Sequence, residues 1–219
     1  MPTKPKKNQP ETPDVVQTKD LFQSPHYSVD ILLPFIPKYI KYVIEPACGE
    51  GRISSYLESK GYDIFSYDID PHYEGSAKDN FLGKVPIPCY YPEETILITN
   101  PPYSLKKKFY QRCFSYNIPF ALLIPTDYCS WIIDAIRYDS AEKIIPNRRI
   151  NYITPYCLQR INERYNKNYI RISDIPDELV AEDLSKSGSQ FHSMWFCHGL
   201  NLGKTETFVE LTKEMMKNV

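Results

Sequence analysis

The sequence predicts an α/β fold: an open, mostly parallel sheet of seven strands flanked by helices, with a small insertion near the C-terminus. Three observations predict it. Short β-favouring runs at 42–45, 63–70, 96–99, 120–125, 143–153, 193–197 and 207–211 alternate with stretches whose apolar residues recur at helical spacing, the pattern of parallel strands joined by helical crossovers. The first run opens into a glycine turn, Cys48-Gly49-Glu50-Gly51, with a helical stretch directly behind it. The run Ile96-Leu97-Ile98-Thr99 stops abruptly at Asn100-Pro101-Pro102-Tyr103. Ligands of open α/β sheets bind at the carboxyl ends of strands, so both turns are expected to face one crevice.

Composition narrows the class. A chain of 219 residues with 42% hydrophobic and 24% charged residues suits one globular domain, or one domain with a small insertion. No apolar run reaches the length of a membrane span and the N-terminus lacks the apolar core of a signal peptide, so an intracellular protein without membrane contact is expected. The net charge of −1 excludes a polybasic domain that holds nucleic acid everywhere, and a polyanion would have to be met by a local patch. Six scattered cysteines with no C-x-x-C pair read as free thiols, with no metal site. Eighteen tyrosines supply stacking surface.

Taken in order, residues 1–19 are rich in proline and lysine and poor in apolar residues, and read as a flexible arm. The folded domain is expected over 20–219. Ser24 is placed to cap a helix with Pro25 at its first position and Val29, Leu32, Leu33 and Ile36 on its apolar face; its free N–H groups would suit a carboxylate. The strand at 42–45 ends in Glu45-Pro46, where a dinucleotide site would place a phosphate, so a cationic group is the better guest. Gly49 and Gly51 let backbone and ligand approach closely. A helix carrying Ile53, Tyr56 and Leu57 follows and Gly61 ends it. The next strand closes at Asp68, about twenty positions past the glycine turn, where a carboxylate accepts from ribose hydroxyls; Asp68 fits this better than Asp70.

After the strand at 96–99, Asn100 offers a carbonyl acceptor, and Pro101 has no N–H and biases Asn100 to an extended conformation. The Pro101 carbonyl can point the same way, and Tyr103 adds a flat face. A planar group bearing an amine is the natural guest. A helix is expected over 104–116 and another around Trp131, Ile132, Ala135 and Ile136. The run at 143–153 reads as a strand broken at Pro146. Residues 155–190 are polar, lack a long apolar periodicity, and read as an insertion with a possible part in substrate recognition.

The loop Glu45-Pro46-Ala47-Cys48-Gly49-Glu50-Gly51 and the tetrapeptide Asn100-Pro101-Pro102-Tyr103 resemble the two signatures of the Asn-Pro-Pro-Tyr amino-methyltransferases. These are S-adenosylmethionine-dependent enzymes of the class I, Rossmann-like fold. They methylate exocyclic amines of nucleobases or, in one branch, a protein glutamine. The resemblance runs from about Phe22 to Trp195, in the motif order of the subgroup that methylates the 6-amino group of adenine in DNA. It implies that Asn100, Pro101, Pro102 and Tyr103 are catalytic. It also implies a cofactor site: Phe22, Ser24 and Pro25 at the methionine part; Glu45, Pro46, Cys48, Gly49, Gly51 and Asp68 from the loop and second strand; Asp79 and Phe81 flanking adenine; and Asn100. Tyr152 would stack on the target base opposite Tyr103, with a core aromatic as the other reading. Lys107, Arg148 and Arg149 would meet phosphates, although a lysine run is also an ordinary solvated helix face. RNA adenine, cytosine, a protein glutamine, or a catalytically idle nucleic-acid-binding partner subunit are the alternatives. The insertion is short for a specificity domain, so recognition is expected to be loose or shared with a second subunit.

Overall fold

A computed structural model describes residues 22–84, 86–186 and 188–219; the arm expected at 1–19 lies outside them. Among the described residues the chain builds one eight-stranded sheet. Its strands are β1 Tyr42–Glu45, β2 Asp63–Asp68, β3 Ala77–Lys78, β4 Thr95–Thr99, β5 Phe120–Pro125, β6 Glu142–Pro146, β7 Ser193–His198 and β8 Glu206–Val209, in the order β3-β2-β1-β4-β5-β7-β6-β8. The ladders are parallel except those of β7, which runs antiparallel between β5 and β6. The mostly parallel α/β class is the one expected. The strand not foreseen is β3, two residues that pair with Tyr67 and Asp68; no run that short carries a periodicity.

The central strands alternate between two apolar layers because successive strand residues point to opposite faces. Val43, Ile96, Ile98, Ala121, Leu123 and Trp195 face the layer of α1 His26–Asp30, α2 Arg52–Ser59, α5 Pro155–Tyr165 and α6 Asp177–Lys186. Ile44, Leu97, Leu122, Ile124, Met194 and Phe196 face α3 Lys106–Phe114 and α4 Ser130–Tyr138. Both faces are therefore covered, which is why these strands read as unbroken apolar runs.

Three expectations are corrected. The first helix stops at Asp30, because Pro34 has no N–H to give the Asp30 carbonyl, and a 3₁₀ turn Leu33–Phe35 follows. The strand expected over 143–153 ends at Pro146; Ile153 pairs only with Gln23. Most of the polar stretch 155–190 is helical. In α5 and α6, Cys157, Ile161, Val180 and Leu184 are buried in the same apolar cluster as α1 and α2. Each helix is short enough that its few apolar positions are diluted by polar and charged residues, Arg, Asn and Glu in α5 and Asp, Glu and Lys in α6.

Candidate active site

Strand order reverses at the β1–β4 pair: from β1 the chain moves outward to β2 and β3, and from β4 to β5 and beyond. A crevice opens outside the carboxyl ends of two such strands. The glycine turn follows β1 and Asn100 follows β4, so the two motifs, about fifty residues apart in sequence, meet there. A cavity of about 390 Å³ lies between them, within the size range of small-molecule sites.

Of the residues singled out from sequence, Phe22, Pro46, Gly49, Asp68, Asp79, Phe81, Asn100 and Pro102 line this cavity. Asp68 accepts the Gly49 N–H at 2.8 Å and the Asp70 N–H at 2.9 Å, so one carboxylate ties the glycine turn to the end of β2 and faces the cavity. Phe81 is nearly fully buried and its carbonyl is held by Arg112 Nε at 3.1 Å, which presents the ring as a fixed wall. The charge of the lining is one-sided. Glu50, Asp68, Asp70 and Asp79 contribute carboxylates, and among the described residues no lysine or arginine lines it. Such a lining disfavours a pyrophosphate and favours a cation.

That role does not belong to Glu45. Its side chain is 1% exposed, it receives the Ser54 hydroxyl, and burial pushes its carboxyl up to about 8. Ser54 in turn shares a 2.6 Å hydrogen bond with Ser66, so Glu45, whose neutral form burial favours, joins β1, α2 and β2 inside the fold. Cys48 is likewise turned inward, 3% exposed, with burial pushing its thiol up to about 12. Gly51 is needed for a different reason from the one expected. Its φ is +78°, and a Cβ there would lie 2.1 Å from the Tyr73 ring, so the close approach is made by a side chain of the protein itself.

Ser24 does not cap the first helix. Pro25 occupies the cap position, and the buried Ser24 hydroxyl has no hydrogen-bond partner. Neither residue lines the cavity. The donors at the helix start are also taken: Tyr27 N–H by the Asn218 carbonyl at 2.8 Å and Ser28 N–H by the Pro25 carbonyl at 3.0 Å.

Asn100 Nδ2 donates to the Phe22 carbonyl at 3.1 Å, and its Oδ1 is buried without a hydrogen-bond partner. A buried acceptor left open at a cavity wall is uncommon and costs stability, so it marks a place where a donor belongs. Beside it the rings of Phe22, Tyr103, Tyr152 and Phe191 form a closed cluster, with all six centroid separations between 5.5 and 6.1 Å. Tyr152 is not a second parallel face for a guest on Tyr103: the two rings meet edge-on at 77°. The ring stacked on Tyr103 is Phe22, at 27°. A planar guest that stacks on the same face of Tyr103 displaces it.

Of the basic residues, Lys107 and Arg148 are exposed and Arg149 donates to the Ser189 carbonyl at 3.1 Å. The adjacent Lys106 pairs with Asp127. Sequence reading missed Gln23, whose side chain crosses the glycine turn: its Oε1 takes the Glu50 N–H at 3.4 Å, and a Cβ on Gly49 would lie 2.7 Å from its Nε2. It also missed Pro155 and Ile172, which bring the 155–190 segment to the cavity rim, where the Ser173 N–H reaches Glu50 at 2.8 Å. Nothing in the local pattern around these residues marks them.

Among the described residues, no group of three or more His, Cys, Asp or Glu side chains is arranged to hold a metal ion, and no helix is long and apolar enough to cross a membrane. All six cysteines are free.

No model of a known protein family matches the sequence, and no curated protein matches it. Solved structures show distant likenesses. One is a SAM-dependent methyltransferase from Archaeoglobus fulgidus, at 10% identity and TM-score 0.43 over 78% of this chain and 92% of that one. A second is the 23S rRNA methyltransferase ErmE, at 15% identity and TM-score 0.40 over 72% and 80%. A third, assigned as a modification subunit of a type I restriction enzyme from Vibrio vulnificus YJ016, has 12% identity and TM-score 0.47 over 89% of this chain and 51% of that one.

Proposed function

We propose that this chain is an S-adenosylmethionine-dependent amino-methyltransferase of the class I fold, acting on the 6-amino group of adenine in DNA. The observation that carries the reading is the open, buried Oδ1 of Asn100 at the carboxyl end of β4, directly beside an acidic cavity at the sheet's switch point. Asn100 Oδ1 and the carbonyl of Pro101 accept from the target amine and turn its lone pair out of conjugation. Holding the two reactants in line is worth at most ~7–11 kcal/mol of barrier. When bound, the cofactor supplies a methyl group activated by a sulfonium. The chain's residues suit that ligand: Asp68 and Asp79 offer acceptors, Phe81 a flat wall, Gly49 room at the turn, and the four carboxylates of the lining a field for its positive charges. Glu45, neutral and turned inward, is no part of that field.

An adenine must leave its stack to reach Asn100. Stacking on Tyr103, once the Phe22 ring has moved, offsets part of that cost, and Lys107, Arg148 and Arg149 are exposed for the phosphates. The test is transfer of labelled methyl from S-adenosylmethionine to duplex DNA, single-stranded DNA, tRNA and protein extract, with the product identified after digestion. N6-methyladenine in DNA is the expected product. Label confined to RNA or to protein glutamine moves the substrate class. Cofactor binding with no product on any acceptor assigns the idle-partner role instead.

A further inference from the structure

A primary amide in a pocket offers a donor at one end and an acceptor at the other. At Asn100 the fold disposes of the donor end. Nδ2 gives a hydrogen to the Phe22 carbonyl at 3.1 Å, and Oδ1 is left open. Turning the amide over would set two carbonyl oxygens face to face with no hydrogen between them and leave the amide's donors unpaired. The Phe22 carbonyl is itself held. The next residue, Gln23, exchanges backbone hydrogen bonds of 2.8 and 3.0 Å with Ile153, and its side chain takes the Glu50 N–H at 3.4 Å. The strap is thus pinned to the segment after β6 on one side and to the glycine turn on the other.

We propose that the backbone carbonyl of Phe22 is the positioning group of the site, holding the Asn100 amide so that Oδ1 alone is presented to the target amine. The inference rests on the reading of Asn100 as the amine's acceptor and adds the group that orients it. Residue 100 must then be able to donate to Phe22 as well as accept from substrate. An aspartate separates these demands. Its ionised form has two acceptors and no proton for the Phe22 carbonyl; its neutral form donates from one oxygen and accepts with the other.

The test follows the introduced carboxyl of Asn100→Asp by ¹³C NMR titration in the full chain, alone and combined with Gln23→Pro. That second change deletes the N–H bonded to Ile153 and loosens the strap. In wild type, the side-chain amide protons of Asn100 are followed by hydrogen exchange, and methyl transfer by both Asn100 forms is measured across pH. The carboxyl is expected to titrate above its ordinary value of about 3.9 in the single variant and to fall back toward it when the strap is loosened. Turnover of Asn100→Asp should drop about tenfold per pH unit above that titration point, a dependence wild type lacks. One wild-type amide proton should be protected from exchange. A carboxyl that titrates ordinarily, or is raised equally in both variants through burial alone, overturns the proposal. So does an unprotected amide, which decides the matter if the double variant does not fold. Titration and exchange need no catalysis, so an inactive wild type would remove the methyltransferase reading and leave this one to its own result.

Discussion

Asn100→Ala removes the acceptor that the fold has left open, and its cost should appear in the transition state more than in either bound complex. Its kcat is expected to fall on the order of 100-fold or more with cofactor affinity nearly unchanged, as single-turnover kinetics at saturating cofactor will show. Tyr103→Ala should act differently. Stacking on a flipped base is worth roughly 1–3 kcal/mol and is present once the base has entered, so KM for the nucleic acid should rise as well. Asp68→Ala is expected to weaken cofactor binding in calorimetry, because the carboxylate both faces the cavity and holds the Gly49 N–H at 2.8 Å. That Asn100 and Asp68 reach one cavity follows from positions the sequence marks, each at the end of a β run beside a turn signal. Glu45 stood in the same kind of place and was misread. Its fate depends on Ser54 and Ser66, nine and twenty-one residues onward, and no local pattern says whether a strand-end carboxylate turns toward a ligand or into the core.

Between elements, Glu45 makes β1, α2 and β2 sensitive to pH. The unfolded chain ionises it near 4.5 and the folded chain near 8, with burial as the main cause. Between those values the folded state binds more protons, so stability falls as pH rises through the window. Glu45→Gln removes that titration, and urea unfolding from pH 5 to 8.5 should show the variant gaining on wild type by on the order of a few kcal/mol at the alkaline end. The helices of the 155–190 segment make a second case. Ile161 in α5 is fully buried in the cluster shared with α1 and α2. Ile161→Ala should therefore cost about 2–5 kcal/mol, seen as a loss of several degrees in Tm. An appended recognition loop would tolerate the change. The segment's polar composition hid this, since two short helices that each bury one narrow stripe leave most of their residues in water.

For the whole molecule, the DNA reading predicts a salt dependence that the protein-glutamine alternative does not. If Lys107, Arg148 and Arg149 each neutralise one phosphate, affinity for DNA should fall roughly fortyfold between 50 and 200 mM salt, as fluorescence anisotropy with a labelled duplex will show; a flat profile removes those contacts. The sequence by itself determined the alternation of strands and helices, the two turns at the ends of β1 and β4, and the acidic end of β2. All of these are written in local patterns of apolar, glycine and proline residues. Only the tertiary structure decided what each side chain faces. Strand order brought residues about fifty positions apart to one crevice, the Gln23–Ile153 pairing carried Phe22 onto Tyr103 and its carbonyl onto Asn100, and burial neutralised Glu45. Periodicity specifies which face of an element is apolar. The partner opposite a polar group, and the dielectric around it, are set by elements that are distant in the chain and adjacent in space.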